Sequence, residues 1–589
     1  MNERTLFTGP NHQTLEQEAF TWATEHSEAG LARVLYLSES TNRHDRVREV
    51  WCQSYDSLTL RTETLVSFVF ECYETLEGPS AQLSGEIEQR ALEYGLDSIV
   101  ADRPWLSTQP YASANLVDSF YRRFARFENV GLNSPAEVRK EFADSGLPSR
   151  IKETTVSAYE AFYDRRESVT ESWHVDYSKA SQAVAESDIV ELEPHVDAVI
   201  LSGFIDPGTA EQEILRTLIE TFPTAAILPT FSESRSDGVD TATETIRNLY
   251  EDRDFETQLI EPSNGVSSLQ HVAQSLYRNQ PPEEQTVPEA LSWRELPTPE
   301  REVRYVAREI RQQLSESESD DDIGVVIPGF SEYEEYLADV FDTFGLEYDV
   351  ETGGPLADTF VGSAIKSLIL LSDDDPRASD LTQLVTNPVV NLLDSDGEDA
   401  IVAAERYVDS VRVTPVLQEL SPAVRSEIEA LLDRLDAIRD ADIKPAVETL
   451  RSEIDRLKIA DAVDNAESRI DAGREKAALE HTEELLTSFE HLPSDTPNLS
   501  AAAGLLRAIQ GASLDGYTGS SEAITVLDHA DAKEYAFDQL YIVGLTTEHF
   551  PSVVRYPAFF EQMVEEHPIL EVLDERLRDR YFFATLLAN

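Results

Sequence analysis

Lysine, cysteine and long apolar runs are scarce in this chain, whereas acidic side chains are abundant. Eight of the 48 basic residues are lysines, 112 residues are acidic, and the formal net charge is −64. An acidic surface with little lysine is typical of proteins that work in concentrated salt, where screening weakens the repulsion between like charges. A hydrophobic content of 41% argues against the alternative, a disordered acidic chain. We therefore expect a folded, halophilic protein.

The two cysteines, Cys52 and Cys72, are too few to build a four-cysteine zinc or iron–sulfur site. No window of the sequence approaches the roughly 18 consecutive apolar residues that a membrane-spanning helix needs. The N-terminal segment is polar and lacks the apolar core of a signal peptide. We therefore expect a cytoplasmic protein with two ordinary thiols and no membrane partner.

Short apolar segments alternate with amphipathic helical patterns along most of the chain. This alternation favours an α/β fold, in which crossover helices join the strands of parallel sheets. The predicted strands are Arg4–Thr8, Val34–Leu37, Ala198–Leu201, Ala225–Leu228, Ile323–Ile327, Ile524–Leu527 and Leu540–Val543.

Two long stretches have a helical pattern instead. Residues 112–187 contain no strong strand signal, and residues 395–492 place apolar side chains at helical spacing, as at Val447, Leu450 and Ile454. A proline-rich, charged segment is typical of a linker. The predicted domains are a first lobe (1–111 and 188–278) with a helical insertion (112–187), a linker (279–290), and a second lobe (291–394 and 493–589) with a helical insertion (395–492).

The loop after the first predicted strand has the context of a nucleotide-binding phosphate loop. The pattern G-x-x-x-x-G-K-[ST] requires a second glycine, a lysine for the β/γ-phosphates and a hydroxyl for Mg²⁺. Counted from Gly9, those positions hold Thr14, Leu15 and Glu16. A carboxylate at the mouth of an anion site repels phosphate. The sequence therefore predicts a loop that has the setting of an ATPase site and lacks its function, with His12 as a turn residue.

Four segments together resemble the AddB/RexB family of helicase-nuclease subunits, which share the superfamily 1 helicase fold. Thr8-Gly9-Pro10 is similar to the opening of the family's phosphate loop. Residues 197–204 are similar to its Walker B strand, with Ser202 at the position of the aspartate. Residues 299–310 resemble the entry to the second lobe. Residues 537–545, with the sequence FDQLYIVGL, are similar to helicase motif V and form the most specific match.

The resemblance implies two RecA-like lobes, each with a helical insertion. ATP hydrolysis needs phosphate cradling, Mg²⁺ placement and charge stabilisation. The chain lacks the family's lysine, hydroxyl and Walker B aspartate. It also has no arginine finger after residues 575–583, which resemble the start of motif VI. We therefore expect neither ATPase activity nor a cofactor here, although the family uses ATP, Mg²⁺ and an iron–sulfur cluster. The second lobe is expected to be incomplete at Asn589.

Two arginine clusters are candidate DNA contacts, because single-strand binding needs local positive charge and aromatic faces. The first cluster alternates aromatic and basic residues and consists of Tyr121, Arg122, Arg123, Phe124 and Arg126. Its alternative is an amphipathic helix whose aromatic residues face a core while the arginines pair with carboxylates. The second cluster consists of Arg576, Arg578 and Arg580, which motif VI would place near the cleft between the lobes. Its alternative is a network of ion pairs on a helix surface.

The leading functional hypothesis is a catalytically inactive, helicase-like scaffold of an AddB-type helicase-nuclease. Such a scaffold would bind single-stranded or end DNA in double-strand break repair and pair with an active helicase subunit. One alternative is a DNA exonuclease subunit of the PD-(D/E)XK type whose nuclease domain lies beyond this chain. The other is an interaction protein that does not bind DNA. Asp528 and His529 form a pair near a strand end, but no nucleophile accompanies them.

Overall fold

The computed structural model describes residues 3–27, 33–40, 44–55, 59–78, 81–82, 88, 92, 96, 99, 113–143, 145–170, 174–231, 238–261, 268–275, 291–316, 322–350, 356–408, 412–439, 441–465, 469–490, 501–512, 514, 524–547, 549–551 and 575–589. The predicted linker, residues 279–290, lies outside these ranges.

A six-stranded parallel sheet organises the N-terminal half of the described chain. Its strands, with one separate two-stranded pair, are β1 (Arg4–Gly9), β2 (Val34–Ser38), β3 (Leu60–Thr64), β4 (Ala81–Gln82), β5 (His174–Val175), β6 (Ala198–Leu201), β7 (Thr224–Pro229) and β8 (Glu256–Leu259). The order across the first sheet is β3-β2-β6-β7-β1-β8, and β4 pairs with β5. Strands β2, β6 and β7 are buried along their whole length, as expected where helices cover both faces of a parallel sheet.

Helices cover the two faces of the first sheet and form a separate bundle beside it. The covering helices are His12–His26, His44–Tyr55, Leu65–Glu77, Tyr177–Glu186, Ile189–Leu192, Thr209–Thr221 and Glu244–Glu251. Helix Ser268–Ser275 packs instead against the C-terminal helix Glu575–Ala588. The bundle consists of Ser113–Asn129, Pro135–Ala143 and Ser149–Thr170. Its core is aromatic, with Phe120, Phe124, Phe127, Tyr159 and Phe162 packed together. The bundle is therefore a folding unit with its own core, not an extension of the sheet.

A four-stranded parallel sheet organises the C-terminal half. Its strands are β9 (Ile323–Val326), β10 (Asp349–Val350), β11 (Ile524–Leu527) and β12 (Gln539–Ile542), in the order β10-β11-β9-β12. The helices of this half are Pro299–Glu316, Glu334–Phe344, Phe360–Leu371, Ala378–Val385, Ser395–Val408, Val413–Glu419, Pro422–Arg439, Ile443–Arg456, Ile459–Asp464, Arg469–Glu490, Ala501–Gly511, His529–Ala532 and Glu575–Ala588. One continuous apolar core joins the second sheet to the helices between residues 395 and 490.

The α/β fold class with helical regions is confirmed, since two parallel sheets alternate with helices. All seven predicted strands are present, and each observed end lies at the predicted residue or next to it. Three further strands of these sheets that the sequence did not predict, β3, β8 and β10, lie at the sheet edges. The stretch 112–187, which was predicted to be helical with no strong strand, contains the two-residue strand β5. Among the helices that the structure describes, none is both long enough and apolar enough to span a membrane.

Candidate nucleotide cleft and nucleic-acid interface

The loop between β1 and helix His12–His26 is held by the chain's own backbone and side chains. Gly9 has no room for a side chain, because a Cβ atom there would lie 2.4 Å from the carbonyl oxygen of Ile260. Asn11 caps the helix, and its Oδ1 accepts hydrogen bonds from both the N–H and the hydroxyl of Thr14, each at 2.8 Å. The amide of Thr14, one of the first-turn donors that would face a phosphate, is therefore already used.

The residues at the lysine and hydroxyl positions of the loop point into the protein. Leu15 is 1% exposed and packs in the core beneath the first sheet. Glu16 is 2% exposed, and its Oε1 accepts a hydrogen bond of 2.9 Å from the hydroxyl of Tyr36. Neither side chain reaches the mouth of the loop. Glu16 is therefore a buried structural group, and the repulsion of phosphate that we expected from it at the loop mouth finds no support in its position.

Ser202, at the end of β6, contacts His12 in the closed interior of the site. The Nε2 atom of His12 lies 3.0 Å from the Oγ atom of Ser202, and both residues are buried. The expectation that His12 is a simple turn residue was incomplete, because His12 begins the helix and its ring connects the loop to the end of β6. A small hydroxyl at position 202 leaves space for this imidazole in the region where a Walker B carboxylate would stand.

The C-terminal helix Glu575–Ala588 closes the same region and packs against both halves of the chain, for example against Val239 and Leu527. Asn589 Oδ1 accepts a hydrogen bond of 2.8 Å from the amide of His12, a second first-turn donor. Asn11 donates a hydrogen bond of 3.0 Å to the carbonyl of Ala588, and Tyr581 donates one of 2.9 Å to the carbonyl of Pro229. The space left between His12, Tyr581 and their neighbours has a volume of about 20 Å³. This volume holds about one water molecule.

Two ion pairs also connect the lobes. The Nζ atom of Lys533 lies 2.8 Å from Glu39 Oε2 and 4.7 Å from the centre of the Phe582 ring. Burial is the largest single effect on the pKa of Lys533 and lowers it, but the carboxylates of Glu39, Glu534 and Asp531 together outweigh burial, so the pKa is raised and the ammonium form is favoured. Arg46 forms the second pair with Asp322 at 2.6 Å. These contacts join the two lobes to one another through charged side chains.

The three arginines that were predicted from motif VI differ in their exposure to solvent. Arg576 and Arg578 are exposed, whereas Arg580 is half-buried. Arg578 lines an open cleft of about 320 Å³ together with Glu39, Lys533 and Phe582. Arg578 therefore lies at the cleft between the lobes. The structure does not assign all three arginines to one surface.

His529, which follows β11, lies between two carboxylates near this cleft. Its Nδ1 atom is 2.8 Å from Asp528 Oδ1, and its Nε2 atom is 3.1 Å from Asp579 Oδ1. Burial lowers the pKa of His529, but Asp528 and Asp579 outweigh burial and raise the pKa to about 9. The imidazole is therefore charged at neutral pH, and it joins β11 to the C-terminal helix as an ion-pair centre.

The first predicted DNA contact, on helix Ser113–Asn129, faces mainly inward. Phe124 is fully buried, Arg123 is 2% exposed, and Tyr121 donates a hydrogen bond of 2.9 Å to Glu88. Arg122 is exposed and Arg126 is half-buried. This arrangement matches the alternative interpretation of an amphipathic helix with an aromatic core face. Base stacking on Phe124 is not possible in this structure, because its ring contacts Tyr159 and Phe162.

The chain is similar to subunits of the ATP-dependent helicase/deoxyribonuclease of Streptococcus pyogenes. The proteins from strain MGAS2096 (serotype M12) and strain NZ131 (serotype M49) are each 20% identical to it over 272 residues. Each match covers 43% of this chain and 25% of the relative, so the similarity spans about a quarter of the relatives' length. No protein-family model matches the chain. The similarity is distant, and it agrees with the family suggested by the sequence motifs.

Proposed function

We propose that this chain is a helicase-like scaffold of a helicase-deoxyribonuclease that holds DNA without hydrolysing ATP. The observation that carries the proposal is the closed phosphate loop. His12, Asn11 and Asn589 use the donors and fill the space that a nucleotide would need. The parallel sheets and the distant similarity to the streptococcal helicase/deoxyribonuclease subunits support the DNA-related part of the proposal.

The proposed role is to bind single-stranded DNA or DNA ends during double-strand break repair, next to a partner protein that does hydrolyse ATP. A lobe pair fixed by Lys533–Glu39 and Arg46–Asp322 suits a rigid platform better than a motor, which must open and close. The acidic, arginine-rich composition supports work in concentrated salt inside the cell. There, electrostatic affinity for phosphate is weakened, and aromatic stacking must contribute more to binding.

Binding to oligothymidine tests this proposal directly. Fluorescence anisotropy in KCl is expected to give a dissociation constant of about 1 µM or tighter at the lowest salt at which the protein stays folded. Linear duplex with single-stranded tails is expected to compete, and covalently closed circular duplex is the control that does not. If oligothymidine and tailed duplex bind no better than the closed circle, the interaction-protein alternative replaces the proposal.

The exonuclease alternative differs from the scaffold because it requires a nuclease domain beyond this chain. The matched relatives are about four times as long as the matched region, so a nuclease in a longer form of this protein is compatible with the comparisons. The described residues contain no cluster of three or more His, Cys, Asp or Glu side chains placed to hold a metal ion. Mg²⁺-dependent degradation of linear DNA by a longer form of this protein, together with no degradation by the 589-residue chain, would support the exonuclease over the scaffold.

A further inference from the structure

Helix Pro299–Glu316 carries a row of arginines that the predicted DNA contacts do not include. Arg301, Arg304, Arg308 and Arg311 follow one another at helical spacing, and all four are exposed. We call these four residues the arginine stripe. The opposite face of the helix packs into the core of the second lobe through Val303, Val306, Ala307 and Ile310. The stripe therefore faces solvent over a length of about 15 Å, the rise of ten helical residues.

The stripe is unusual in a chain that has 112 acidic and 48 basic residues. Arg304 pairs with Glu300 at 2.9 Å and Arg308 with Glu309 at 3.3 Å, and both arginines stay more than half exposed. Within the part of the chain that the structure describes, Arg301 and Arg311 form no ion pair. Exposed ion pairs contribute little stability, so these carboxylates can be exchanged for another anion at small cost.

Aromatic side chains flank the stripe. Trp293 is 73% exposed, the largest exposure among the big apolar side chains in the described residues. Its neighbour Arg294 contacts Tyr305, whose hydroxyl raises the pKa of Arg294. On the helix, the guanidinium of Arg308 lies 5.2 Å from the centre of the Tyr305 ring. An exposed indole in the segment that leads into a row of guanidinium groups supplies the two kinds of side chain that bind stacked bases and their phosphates.

The start of the helix is attached to the edge of the second sheet where parallel strands end. Glu302 Oε2 accepts hydrogen bonds from the amide of Gly544, two residues after β12, at 2.9 Å and from the hydroxyl of Tyr333 at 3.0 Å. The carboxyl ends of parallel strands are where α/β sheets place their ligands. The stripe therefore begins on a fixed support at the ligand-binding edge of the lobe.

We propose that the arginine stripe and Trp293 form a single-strand DNA contact, with the arginines on the phosphates and Trp293 stacked on a base. This inference rests on the proposed DNA-binding function and gives it a location. A stripe of about 15 Å spans several consecutive phosphates, which lie about 3.4 Å apart along the axis of a stacked strand. An acidic protein segment is the other partner with matching charge, but it gives no reason for the exposed indole.

The test uses the full 589-residue chain and a fluorescent oligothymidine of about 20 nucleotides. The stripe variant combines Arg301→Gln, Arg304→Gln, Arg308→Gln and Arg311→Gln. The matched control removes four other exposed charges through Arg139→Gln, Lys140→Gln, Lys444→Gln and Lys476→Gln. Both variants change the net charge equally, and circular dichroism verifies that both fold.

Two readouts separate the phosphate contacts from stacking. In the stripe variant, the slope of log affinity against log[KCl] is expected to become shallower by about 2 to 3, since each phosphate contact of a single strand contributes about 0.7. The control is expected to keep the wild-type slope. Trp293→Ala is expected to weaken binding by about 5- to 100-fold and to leave the slope unchanged, because stacking releases no counterions.

Three results would overturn the inference. They differ in whether they also overturn the proposed DNA-binding function. Wild-type protein without affinity for oligothymidine removes the proposed function together with this site. If the wild type binds oligothymidine, and the stripe variant and the control lower its affinity equally or not at all, this site alone is excluded. If polyglutamate at equal charge competes with oligothymidine and Trp293→Ala leaves the affinity unchanged, the stripe is assigned to an acidic protein partner instead.

Discussion

Replacing Phe124 by alanine is expected to lower the free energy of unfolding of the aromatic bundle by about 3 to 5 kcal/mol. Phe124 is fully buried, and its ring contacts those of Phe120, Phe127, Tyr159 and Phe162. Removing it loses the apolar burial and leaves a cavity that these rings cannot fill completely. Chemical denaturation, followed by tyrosine fluorescence and circular dichroism at one salt concentration, measures the loss.

The matched control is Phe360→Ala, which deletes the same side chain at a position that is 42% exposed. It is expected to cost well under half as much, because less apolar surface is withdrawn from water at that site. The DNA affinity of the folded Phe124→Ala protein is expected to equal that of the wild type. If the Phe124→Ala protein has normal stability and reduced DNA affinity, Phe124 stacks on a base, as the sequence suggested.

Replacing His529 by glutamine is expected to cost about 3 kcal/mol at neutral pH and progressively less in alkali. Asp528 and Asp579 raise the pKa of His529 from 6.5 to about 9 against the opposing effect of burial, and this difference corresponds to about 3 kcal/mol. A raised pKa means that the folded state binds the proton more tightly than the unfolded state. The stabilisation is therefore complete below pH 6.5 and disappears as the pH rises through about 9.

Denaturation of the wild type and of His529→Gln between about pH 6 and pH 10 gives the two curves. The wild-type free energy of unfolding is expected to fall across this range, and the two curves are expected to converge at its upper end. His481→Gln is the control, because this histidine lies on a helix surface 3.7 Å from Glu484. A constant difference between His529→Gln and the wild type at all pH values would show that the imidazole contributes only by packing.

Most of the strands that were predicted from sequence are buried, and the exception is the edge strand β12, which has no buried residue. Strands β6 and β11 are short apolar runs in the middle of their sheets, and their predicted and observed bounds agree. Strand β8, with the sequence ETQL, is exposed at every residue. Its extended conformation follows from pairing with β1 at the sheet edge, which no local pattern can indicate.

The start of helix His12–His26 shows how capping corrects a prediction based on apolar spacing alone. Apolar residues begin at Leu15, so spacing predicts a start there. The helix begins three residues earlier because Asn11 caps it through Thr14. Asparagine before a helix is a signal that the sequence did contain, and it would have placed His12 in the first turn of the helix.

The closed state of the phosphate loop depends on contacts between residues far apart in sequence. The missing lysine and hydroxyl are visible in the sequence, but the partners that fill the space are not. His12 meets Ser202 across 190 positions, and it meets Asn589 across 577. Such pairs follow from how the two lobes meet, and neither propensity nor periodicity reports on that arrangement.

The measurement that tests the central claim most directly is the effect of MgATP on thermal unfolding of the wild-type chain, with calorimetric titration in the same buffer. A ligand present at about 100 times its dissociation constant stabilises the folded state by about 2.7 kcal/mol. Because His12 and Asn589 occupy the loop, millimolar MgATP is expected to leave the melting temperature unchanged and to give no binding heat. An ATPase with an intact phosphate loop serves as the positive control. Saturable MgATP binding with a raised melting temperature would show that the cleft opens, and would contradict the account.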